Sequence, residues 1–250
     1  MTALSVIVIT HNEEKNIGEC LESVRWADEI IVVDSQSTDK TVEIAKKYTD
    51  NDHVTSWIGY SESKNIALSR SSGQWILWID ADERVPKNLA EEIQSIVRKD
   101  SSGFAGYEIA RRAYFIGKWI RHCGWYPGYV VRLFRKEGVR FNDALVHEKL
   151  EINGTIGRLT NDLLHYTDEN LFHYFSKFNS YTSLAARELA PKGRKISLYD
   201  LLVRPPYLFF KMYILKLGFL DGMHGFVLSI LSANYVFIKY AKLWDEDRKR

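Results

Sequence analysis

Two short apolar runs open the chain and indicate its architecture. LSVIVI (4–9) and EIIVVD (29–34) are continuous and β-branched, as strands buried on both faces of a parallel sheet are. Between them, apolar residues recur at helical spacing: Ile17, Leu21 and Val24. Asn12 is a candidate cap for this helix, and Glu13 and Glu14 suit its first turn. The pattern therefore predicts a βαβ unit.

The same alternation continues to about residue 100. In order, the pattern predicts a helix from Ser37 or Thr38 to Tyr48, a strand at 54–58, a helix at 61–71, a strand at WILWID (75–80) and a helix after Pro86. Strands that alternate with helices are typical of a doubly wound, mostly parallel sheet with helices on both faces.

The pattern changes after residue 104. Segments rich in Tyr, Val and Arg, such as YVVRLFR, are separated by glycines up to residue 160 and predict mixed or antiparallel strands. From residue 168 onward the pattern is helical. We therefore divide the chain into two halves of one α/β domain (1–100 and 101–165) and a C-terminal helical region (166–250).

The composition is that of a folded protein with one main domain. The chain has 250 residues, of which 46% are hydrophobic and 26% charged, which excludes disorder throughout. Cys20 and Cys123 are far apart in sequence and form no CxxC pattern, so neither a disulfide framework nor a zinc site is indicated. The apolar run at the N-terminus lacks a preceding basic segment, so we expect a cytosolic protein that is not secreted.

Charge is distributed unevenly along the chain. Residues 192–250 contain 11 Lys and Arg residues but 5 Asp and Glu residues. The rest of the chain contains 23 Lys and Arg residues and 27 Asp and Glu residues. Two apolar stretches, 206–220 and 226–238, accompany this basic charge, and each is shorter than the roughly 20 residues that span a bilayer.

Two interpretations of this basic, apolar region are open. In the first, residues 204–242 lie on an anionic membrane surface, with five cations at the headgroups: Arg204, Lys211, Lys216, Lys239 and Lys242. In the second, the two stretches are core helices that pack on the catalytic domain or on a second copy of the chain in a homodimer. Neither interpretation involves nucleic acid.

Carboxylates follow three predicted strands. Thr10–Glu13, Asp34–Asp39 and Asp80–Glu83 each come directly after an apolar run, and ligands of open α/β sheets bind at the carboxyl ends of the strands. If strand geometry continues through Asp80 and Asp82, their side chains share one face and can reach one Mg²⁺ or Mn²⁺. The alternatives are a helix cap for Asn12 or Thr38 and a solvated acidic turn before Pro86.

These segments resemble a known family of enzymes. SVIVITHNEEKNIGECLESV, IIVVDSQSTDKT, the SKN of ESKNIALSRSSGQW, and WIDADE together are similar to inverting glycosyltransferases of family two, over roughly residues 4–100. Within that family, VVRLFRK, VHEKL and GFLDGMHG resemble the layout of the lipopolysaccharide-core β-1,4-glucosyltransferase type. The resemblance then extends over nearly the whole chain.

The resemblance implies a GT-A fold that binds a nucleotide sugar. Residues 1–100 would then hold the donor, UDP-glucose in this type, and residues 101–165 the acceptor. Asp34 would read the base, Asp80 would approach the ribose, and Asp82 would bind the metal, with Asp80 and His147 beside it. The full set of candidate donor residues is Thr10, Asn12, Glu13, Asp34, Ser37, Lys64 and Asp80. His11 departs from the family, which often has an aromatic residue there, so stacking of the base at that position is in doubt.

An inverting transfer also needs a general base and an acceptor site. Glu148 is the preferred base and Asp143 the second candidate, both in FNDALVHEKL, and the alternative is that Glu148 pairs with Arg132 or Arg140 to hold the segment. Candidate acceptor residues are Arg111 and Arg112, of which only one can face the site from a strand, together with Trp125 and Tyr126. Packing is the alternative for the aromatic residues.

The sequence therefore favours a metal-dependent hexosyltransferase that uses Mg²⁺ or Mn²⁺ and acts in cell-surface polysaccharide or lipopolysaccharide core synthesis. We expect it at the cytoplasmic face of the inner membrane, with a glycolipid or oligosaccharide acceptor. A membrane-associated nucleotide-sugar binder without catalysis is the main alternative. A sugar-phosphate nucleotidyltransferase is a minor one, because the first strand is not followed by a glycine-rich loop.

Overall fold

The computed structural model describes residues 3–99, 103–142, 150–190 and 196–248. The chain forms two compact units. The first, which we call the sheet unit, comprises Met1–Arg111 and Gly128–His165. The second, the helical unit, comprises Arg112–Pro127 and Tyr166–Arg250. The predicted assignment of residues 1–100 to the donor and 101–165 to the acceptor stays a prediction.

Twelve strands are present in the described part of the chain. They are β1 (Leu4–Thr10), β2 (Glu29–Asp34), β3 (Asp52–Val54), β4 (Trp75–Asp80), β5 (Glu83–Arg84), β6 (Gly106–Phe115), β7 (Lys118–Trp119), β8 (Gly128–Arg135), β9 (Arg140–Phe141), β10 (Leu150–Glu151), β11 (Ile156–Arg158) and β12 (Leu163–Asp168). Their main sheet has the order β3-β2-β1-β4-β8-β6-β12-β5. β1 to β4 are parallel, whereas β8 runs antiparallel to both β4 and β6, so the sheet is mixed as predicted.

Four helices flank the sheet: α1 (Ile17–Ser23), α2 (Thr41–Ala45), α3 (Tyr60–Arg70) and α4 (Lys87–Lys99). The central strands are buried on both faces, because alternate residues enter two different cores. Val6, Val32 and Leu77 belong to one core, which α1 and α4 cover, and Ile7 and Ile31 belong to the other, to which α3 contributes Ala67 and Leu68. This explains the continuous apolar runs in the sequence and confirms the α/β class.

The connections after β1 and β2 differ from their predicted form. Asn12 does not cap α1, which begins at Ile17 after Asn16; the side chain of Asn12 instead accepts a hydrogen bond from the backbone NH of Thr38. The second helix is limited to Thr41–Ala45, because Asp39 rather than Ser37 or Thr38 accepts a hydrogen bond from its first backbone NH. The predicted strand at 54–58 is observed as Asp52–Val54.

The helical unit contains α5 (Leu171–Leu189), α6 (Leu198–Leu202), α7 (Arg204–Phe210) and α8 (Gly222–Asp247), with a π-helical turn (Lys211–Leu215) and a 3₁₀ helix (Gly218–Asp221) between α7 and α8. Leu228 and Leu231 of α8 pack with Leu208 and Met212 in one core. The predicted stretch 226–238 is therefore part of a longer helix. By length and composition Gly218–Asp247 could cross a membrane, and 33% of its most apolar window is buried within the structure.

The GFLDGMHG motif forms a tight connection before α8. A Cβ atom on Gly225 would lie 1.9 Å from the carbonyl oxygen of Gly218, so the two backbones approach too closely for any side chain. Asp221, which is buried, accepts hydrogen bonds from the backbone NH of His122 at 2.8 Å and of Arg121 at 3.3 Å. The motif therefore fixes residues 121–122 within the helical unit.

Candidate active site

The carboxyl ends of β1, β2 and β4 bring three predicted donor residues together. Thr10 is opposite Asp34 in the register of β1 and β2, and Ile9 is opposite Asp80 in that of β1 and β4. Asp34 and Asp80 therefore flank the end of β1 at one edge of the sheet. This is the edge at which open α/β sheets bind their ligands.

Asp34 is buried and organises the loop that follows β2. Its Oδ1 accepts a hydrogen bond from the backbone NH of Ser37 at 2.8 Å, and its Oδ2 accepts one from the Ser37 hydroxyl at 2.5 Å. The side chain of Asn12 accepts a hydrogen bond from the backbone NH of Thr38, and the backbone NH of Asn12 donates to Ser37. These contacts join the loops after β1 and β2. Glu13 donates its backbone NH to the hydroxyl of Thr41 in the same network.

Two buried hydroxyl groups lie beside Asp34. The Oγ1 atoms of Thr10 and Thr55 have no hydrogen-bond partner among the described residues. Thr10 faces Asp34 in the strand register, and the backbone NH of Thr55 donates to the carbonyl oxygen of Asp34 at 2.8 Å. Since buried polar atoms are nearly always paired, these hydroxyls are suited to a polar ligand at this edge. Thr55 was not among the predicted residues.

A buried guanidinium bridges Asp80 and Glu83. Nη2 of Arg132, a residue of β8, lies 2.6 Å from Oδ2 of Asp80 and 2.6 Å from Oε1 of Glu83. Arg132 is 1% exposed and Glu83 is fully buried. Glu83 Oε2 also accepts the backbone NH of Asp80 at 2.9 Å. Neither Arg132 nor Glu83 was predicted as a site residue, although a charged residue inside the apolar run YVVRLF is a signal of a buried ionic partner.

One guanidinium between two carboxylates moves their pKa values apart. Burial alone would raise the pKa of Asp80, but the charges of Arg132 and Lys64 hold it below its usual range. The pKa of Glu83 is raised by burial and by the negative charge of Asp80, against the opposing effect of Arg132. Asp80 is therefore the carboxylate that stays ionised in this cluster.

Lys64 is buried rather than exposed on its helix. It is 2% exposed, and its Nζ lies 3.8 Å from the ring centroid of Trp78. The guanidinium carbon of Arg132 lies 4.0 Å from the same ring centroid, so one indole contacts two cations. This buried lysine, whose charge acts on Asp80, provides positive charge where the donor diphosphate is predicted.

Strand geometry, the condition for Asp80 and Asp82 to share one face as strand neighbours, does not continue through them. β4 ends at Asp80, Asp82 lies in a turn, and a new strand begins at Glu83. The carboxylate of Asp82 instead lies 3.5 Å from Nε2 of His165, on β12. Burial alone would lower the pKa of His165, but the charge of Asp82 raises it above its usual range. No sequence pattern indicated His165.

The donor set at Asp82 suits a Mg²⁺ or Mn²⁺ ion that a substrate helps to bind. The described residues contain no group of three or more His, Cys, Asp and Glu that could hold a metal by itself. Magnesium is usually bound by one or two carboxylates, while substrate phosphates and water complete its shell. Asp82 can supply such a carboxylate, with His165 beside it, while Oδ2 of Asp80 contacts the Arg132 guanidinium.

Arg111 and Arg112 belong to different units. Nη1 of Arg111 lies 4.0 Å from Oε1 of Glu83, and burial together with the charge of Arg132 lowers the pKa of Arg111. The guanidinium carbon of Arg112 lies 4.4 Å from the ring centroid of Trp119 in the helical unit. The two side chains therefore point to opposite sides of β6, as expected in a strand.

The two predicted acceptor aromatics also have different surroundings. Tyr126 packs edge-on against Trp119, with ring centroids 5.3 Å apart, while Trp125 packs with Phe115 in the core of the helical unit. Arg121 lies on the same Trp119 ring, at 4.8 Å from its centroid. Tyr126 is therefore part of a cationic and aromatic surface, and Trp125 contributes to packing.

Three predicted residues, Asp143, His147 and Glu148, lie outside the described residues. The arginines proposed as alternative partners of Glu148 have other carboxylates beside them. Arg132 contacts Asp80 and Glu83, and Nε of Arg140 lies 2.6 Å from Oε2 of Glu151. Glu148 and Asp143 remain the predicted candidates for the base.

Comparison with solved structures identifies the class of fold. The chain is similar to the mannosyltransferase PcManGT from Pyrobaculum calidifontis, solved in complex with GDP-Man and Mn²⁺, with a TM-score of 0.56 and 15% sequence identity. The similarity covers 98% of this chain and 88% of that structure. With the mixed sheet and its site at the carboxyl ends of the strands, it defines a GT-A-like fold.

Sequence comparison identifies the family. Residues 5–149 match glycosyl transferase family 2. The chain is 32% identical to the lipopolysaccharide core biosynthesis glycosyltransferase LpsC of Rhizobium meliloti, over 96% of this chain and 92% of that protein. It is 34% identical to an uncharacterized glycosyltransferase of Rickettsia felis, over 97% of this chain and 90% of that protein. The protein therefore belongs to glycosyltransferase family 2, which confirms the resemblance found in the sequence.

Proposed function

We propose that this protein transfers glucose from UDP-glucose to a saccharide or lipid-linked acceptor in lipopolysaccharide core synthesis, with inversion at the anomeric carbon. The observation that carries the proposal is that Asp34 and Asp80 lie at the carboxyl ends of β2 and β4, on either side of β1, with Asp82 in the turn directly after β4. The similarity to LpsC over nearly the whole chain supports the choice of acceptor.

The donor nucleotide is proposed to lie along the edge formed by β1 and β2. Asp34 has its carboxylate fixed by Ser37 and has the buried hydroxyls of Thr10 and Thr55 as neighbours, which gives several groups that can hydrogen-bond a base. Asp80 is then next to the ribose. Lys64, buried on Trp78, supplies positive charge toward the diphosphate.

The proposed metal ligands are Asp82 and His165, with His147 as a further candidate. When bound, Mg²⁺ or Mn²⁺ would neutralise the diphosphate leaving group. Arg132 has a separate role: by holding Asp80 and Glu83 it keeps both carboxylates from competing with Asp82 for the ion.

The transfer itself is a single displacement. The acceptor hydroxyl oxygen forms a bond to the anomeric carbon as the bond from that carbon to the nucleotide diphosphate breaks. The hydroxyl proton passes to a carboxylate, Glu148 by preference and Asp143 as the second candidate. The acceptor surface is proposed to include Arg112 and Tyr126.

The helical unit is proposed to hold the enzyme on the cytoplasmic face of the inner membrane. Several large apolar side chains of residues 204–242 are exposed: Tyr207, Phe210, Ile214, Leu215, Leu217, Phe219, Leu220, Met223, Phe226, Ile230 and Phe237. A contiguous apolar surface with interspersed lysines is typical of proteins that bind anionic bilayers.

The donor proposal is tested by UDP-glucose hydrolysis with Mg²⁺, with Mn²⁺ and with EDTA. We expect UDP release with either metal, and Asp82→Asn should lower it by about 10²-fold, the usual scale for loss of one transition-state charge contact. Asp50→Asn, at an exposed loop position, is the matched control. If no UDP forms with any metal or with a panel of nucleotide sugars, the protein is a binder and the proposal fails.

The base is tested by Glu148→Gln and Asp143→Asn in a transfer assay. We expect Glu148→Gln to lower turnover by about 10²-fold or more, with donor affinity little changed, because the amide cannot accept the hydroxyl proton. Near wild-type turnover in this variant would move the assignment to Asp143.

Membrane association is tested by sedimentation with vesicles. The protein should sediment with anionic vesicles, less so as salt rises, because screening shortens the reach of exposed charge. Equal recovery in the supernatant with neutral and anionic vesicles would instead favour a helical unit that packs against another subunit.

A further inference from the structure

An open cavity of about 430 Å³ lies within the helical unit, and of the candidate donor, metal, base and acceptor residues only Trp125 lines it. It is lined by residues of four segments: the turn before β8, the region from α7 to just after the π-helical turn, α5 and α8. The lining residues are Cys123, Gly124, Trp125, Tyr174, Leu208, Lys211, Met212, Lys216, Ser232, Tyr235 and Val236. A cavity of this size is within the range of small-molecule sites.

The lining combines apolar walls with two lysines and no carboxylate. Leu208, Met212 and Val236 are aliphatic, and Trp125 adds an aromatic ring. Lys211 and Lys216 are exposed, and neither forms an ion pair within the described part of the chain. The chemistry is therefore that of a molecule with an apolar body and an anionic group.

The two lysines are held near each other by the backbone. The NH of Lys216 donates to the carbonyl oxygen of Lys211 at 2.8 Å, and the NH of Cys123 donates to the carbonyl oxygen of Lys216 at 3.0 Å. A Cβ on Gly124 would lie 3.5 Å from Cγ of Lys216, so the lysine stem lies along this glycine. These backbone hydrogen bonds position both lysines at the π-helical turn, a type of element that often occurs at functional positions.

Exposed apolar side chains lie next to the lining residue Lys216 in the sequence. Ile214, Leu215 and Leu217 flank Lys216, and Phe219 comes shortly after. A soluble polar ligand would gain nothing from such surroundings, whereas a lipid would bury its chain there and keep its headgroup at the lysines.

We propose that this cavity binds one acyl chain of an anionic lipid, with the lipid phosphate held by Lys211 and Lys216. The inference deepens the proposed membrane association, since it gives the helical unit a site for an individual lipid. It concerns a ligand other than the donor, so it can fail while donor hydrolysis remains intact.

The test is isothermal titration calorimetry of the full chain with dodecyl phosphate below its critical micelle concentration. Dodecyl maltoside supplies the same chain without charge, and inorganic phosphate supplies the charge without a chain. We expect one equivalent of dodecyl phosphate to bind at least about tenfold more tightly than dodecyl maltoside, with no binding of inorganic phosphate in the same range, because both parts of the site contribute.

Two variants separate the parts of the site. Ser232→Phe fills the cavity and should weaken both dodecyl ligands at least about tenfold, since it occupies the space of the chain. Lys211→Gln with Lys216→Gln should remove the preference for dodecyl phosphate and leave dodecyl maltoside unchanged. Lys47→Gln with Lys99→Gln, both exposed in the sheet unit, is the charge-matched control and should leave binding unchanged.

Three outcomes would overturn the inference. They are equal affinity for the charged and neutral dodecyl ligands, inorganic phosphate binding as tightly as dodecyl phosphate, and unchanged binding in a folded Ser232→Phe variant. If that variant does not fold, the double lysine variant decides by itself. If the protein still sediments with anionic vesicles although its cavity does not bind dodecyl phosphate, the proposed membrane association stands and only the lipid site is removed.

Discussion

The two units place charge and apolar surface in opposite ways. In the sheet unit, cations are buried: Arg132 is 1% exposed and Lys64 2%, each against an aromatic ring or a carboxylate. In the helical unit, large apolar side chains are exposed, with Phe172 at 84% and Leu198 at 74%. The comparison indicates that the first unit is built to fix charges at a site and the second to meet an apolar partner.

Buried charges are maintained at a cost that hydrophobic residues in their place would avoid. Taking an ion out of water costs several kcal/mol, and the attraction between partners repays this only with good geometry. In this cluster Nη2 of Arg132 lies 2.6 Å from the carboxylates of both Asp80 and Glu83, but Nε and Nη1 of Arg132 are buried without a hydrogen-bond partner among the described residues, so the cost is repaid only in part. We infer that this cluster fixes Asp80 in position more than it stabilises the fold.

The largest predicted effect is at Arg132. Arg132→Met should lower the free energy of unfolding by about 3–5 kcal/mol, because the buried Glu83 and the partly exposed Asp80 both lose the guanidinium that lies 2.6 Å from each. The measurement is urea unfolding at neutral pH. Arg158→Met, at an exposed pair with Glu108, is the control and should change the free energy of unfolding much less.

A combined variant tests whether charge causes this loss. Adding Asp80→Asn and Glu83→Gln to Arg132→Met removes the uncompensated carboxylates, so the triple variant should be more stable than the single one. If the triple variant is no more stable, the loss at Arg132 comes from packing on Trp78 and the contrast between the units is weaker.

The second effect is in the helical unit and depends on close backbone packing. Gly225→Ala should destabilise the protein by about 3 kcal/mol, because the new Cβ would lie 1.9 Å from the carbonyl oxygen of Gly218. Thermal unfolding followed by circular dichroism measures this loss. Asn234→Ala, exposed in the same helix, should be neutral or slightly stabilising. Equal melting temperatures for the two variants would contradict the close approach.

Much of the sheet unit, including two of its site residues, could be predicted from local sequence. The runs at 4–9, 29–34 and 75–80 predicted β1, β2 and β4, because continuous apolar residues between helical segments have few other solutions in a domain of this size. The ends of these strands then indicated Asp34 and Asp80, since parallel strands place their carboxyl ends at one edge.

The remaining site residues are brought together by strand pairing, which local sequence patterns do not predict. Arg132 meets Asp80 because β8 is antiparallel to β4, and His165 meets Asp82 because β12 pairs with β5. Both strands come from distant parts of the chain. Strand geometry does not continue from Asp80 to Asp82, because a turn intervenes, which the spacing of two residues did not reveal.

The smallest predicted effect lies at the rim of the sheet unit, where a charge is held by hydrogen bonds alone. Glu92, on α4, accepts four hydrogen bonds at 2.8–3.0 Å from the backbone and side chains of Thr160 and Asn161. Burial alone would raise the pKa of Glu92, but these donors lower it below its usual range. Because the folded pKa lies below the unfolded one, Glu92 contributes stability above the unfolded pKa and loses it as pH falls through the folded pKa.

Glu92→Gln should therefore cost about 1 kcal/mol at pH 7, a value reduced by solvent screening, and nothing once the wild-type carboxyl is protonated. Urea unfolding of both proteins at several pH values from 7 down to 3 measures the difference, with Glu91→Gln, exposed on the same helix, as the control. A difference that stays constant over this range would assign the effect to amide geometry rather than to charge.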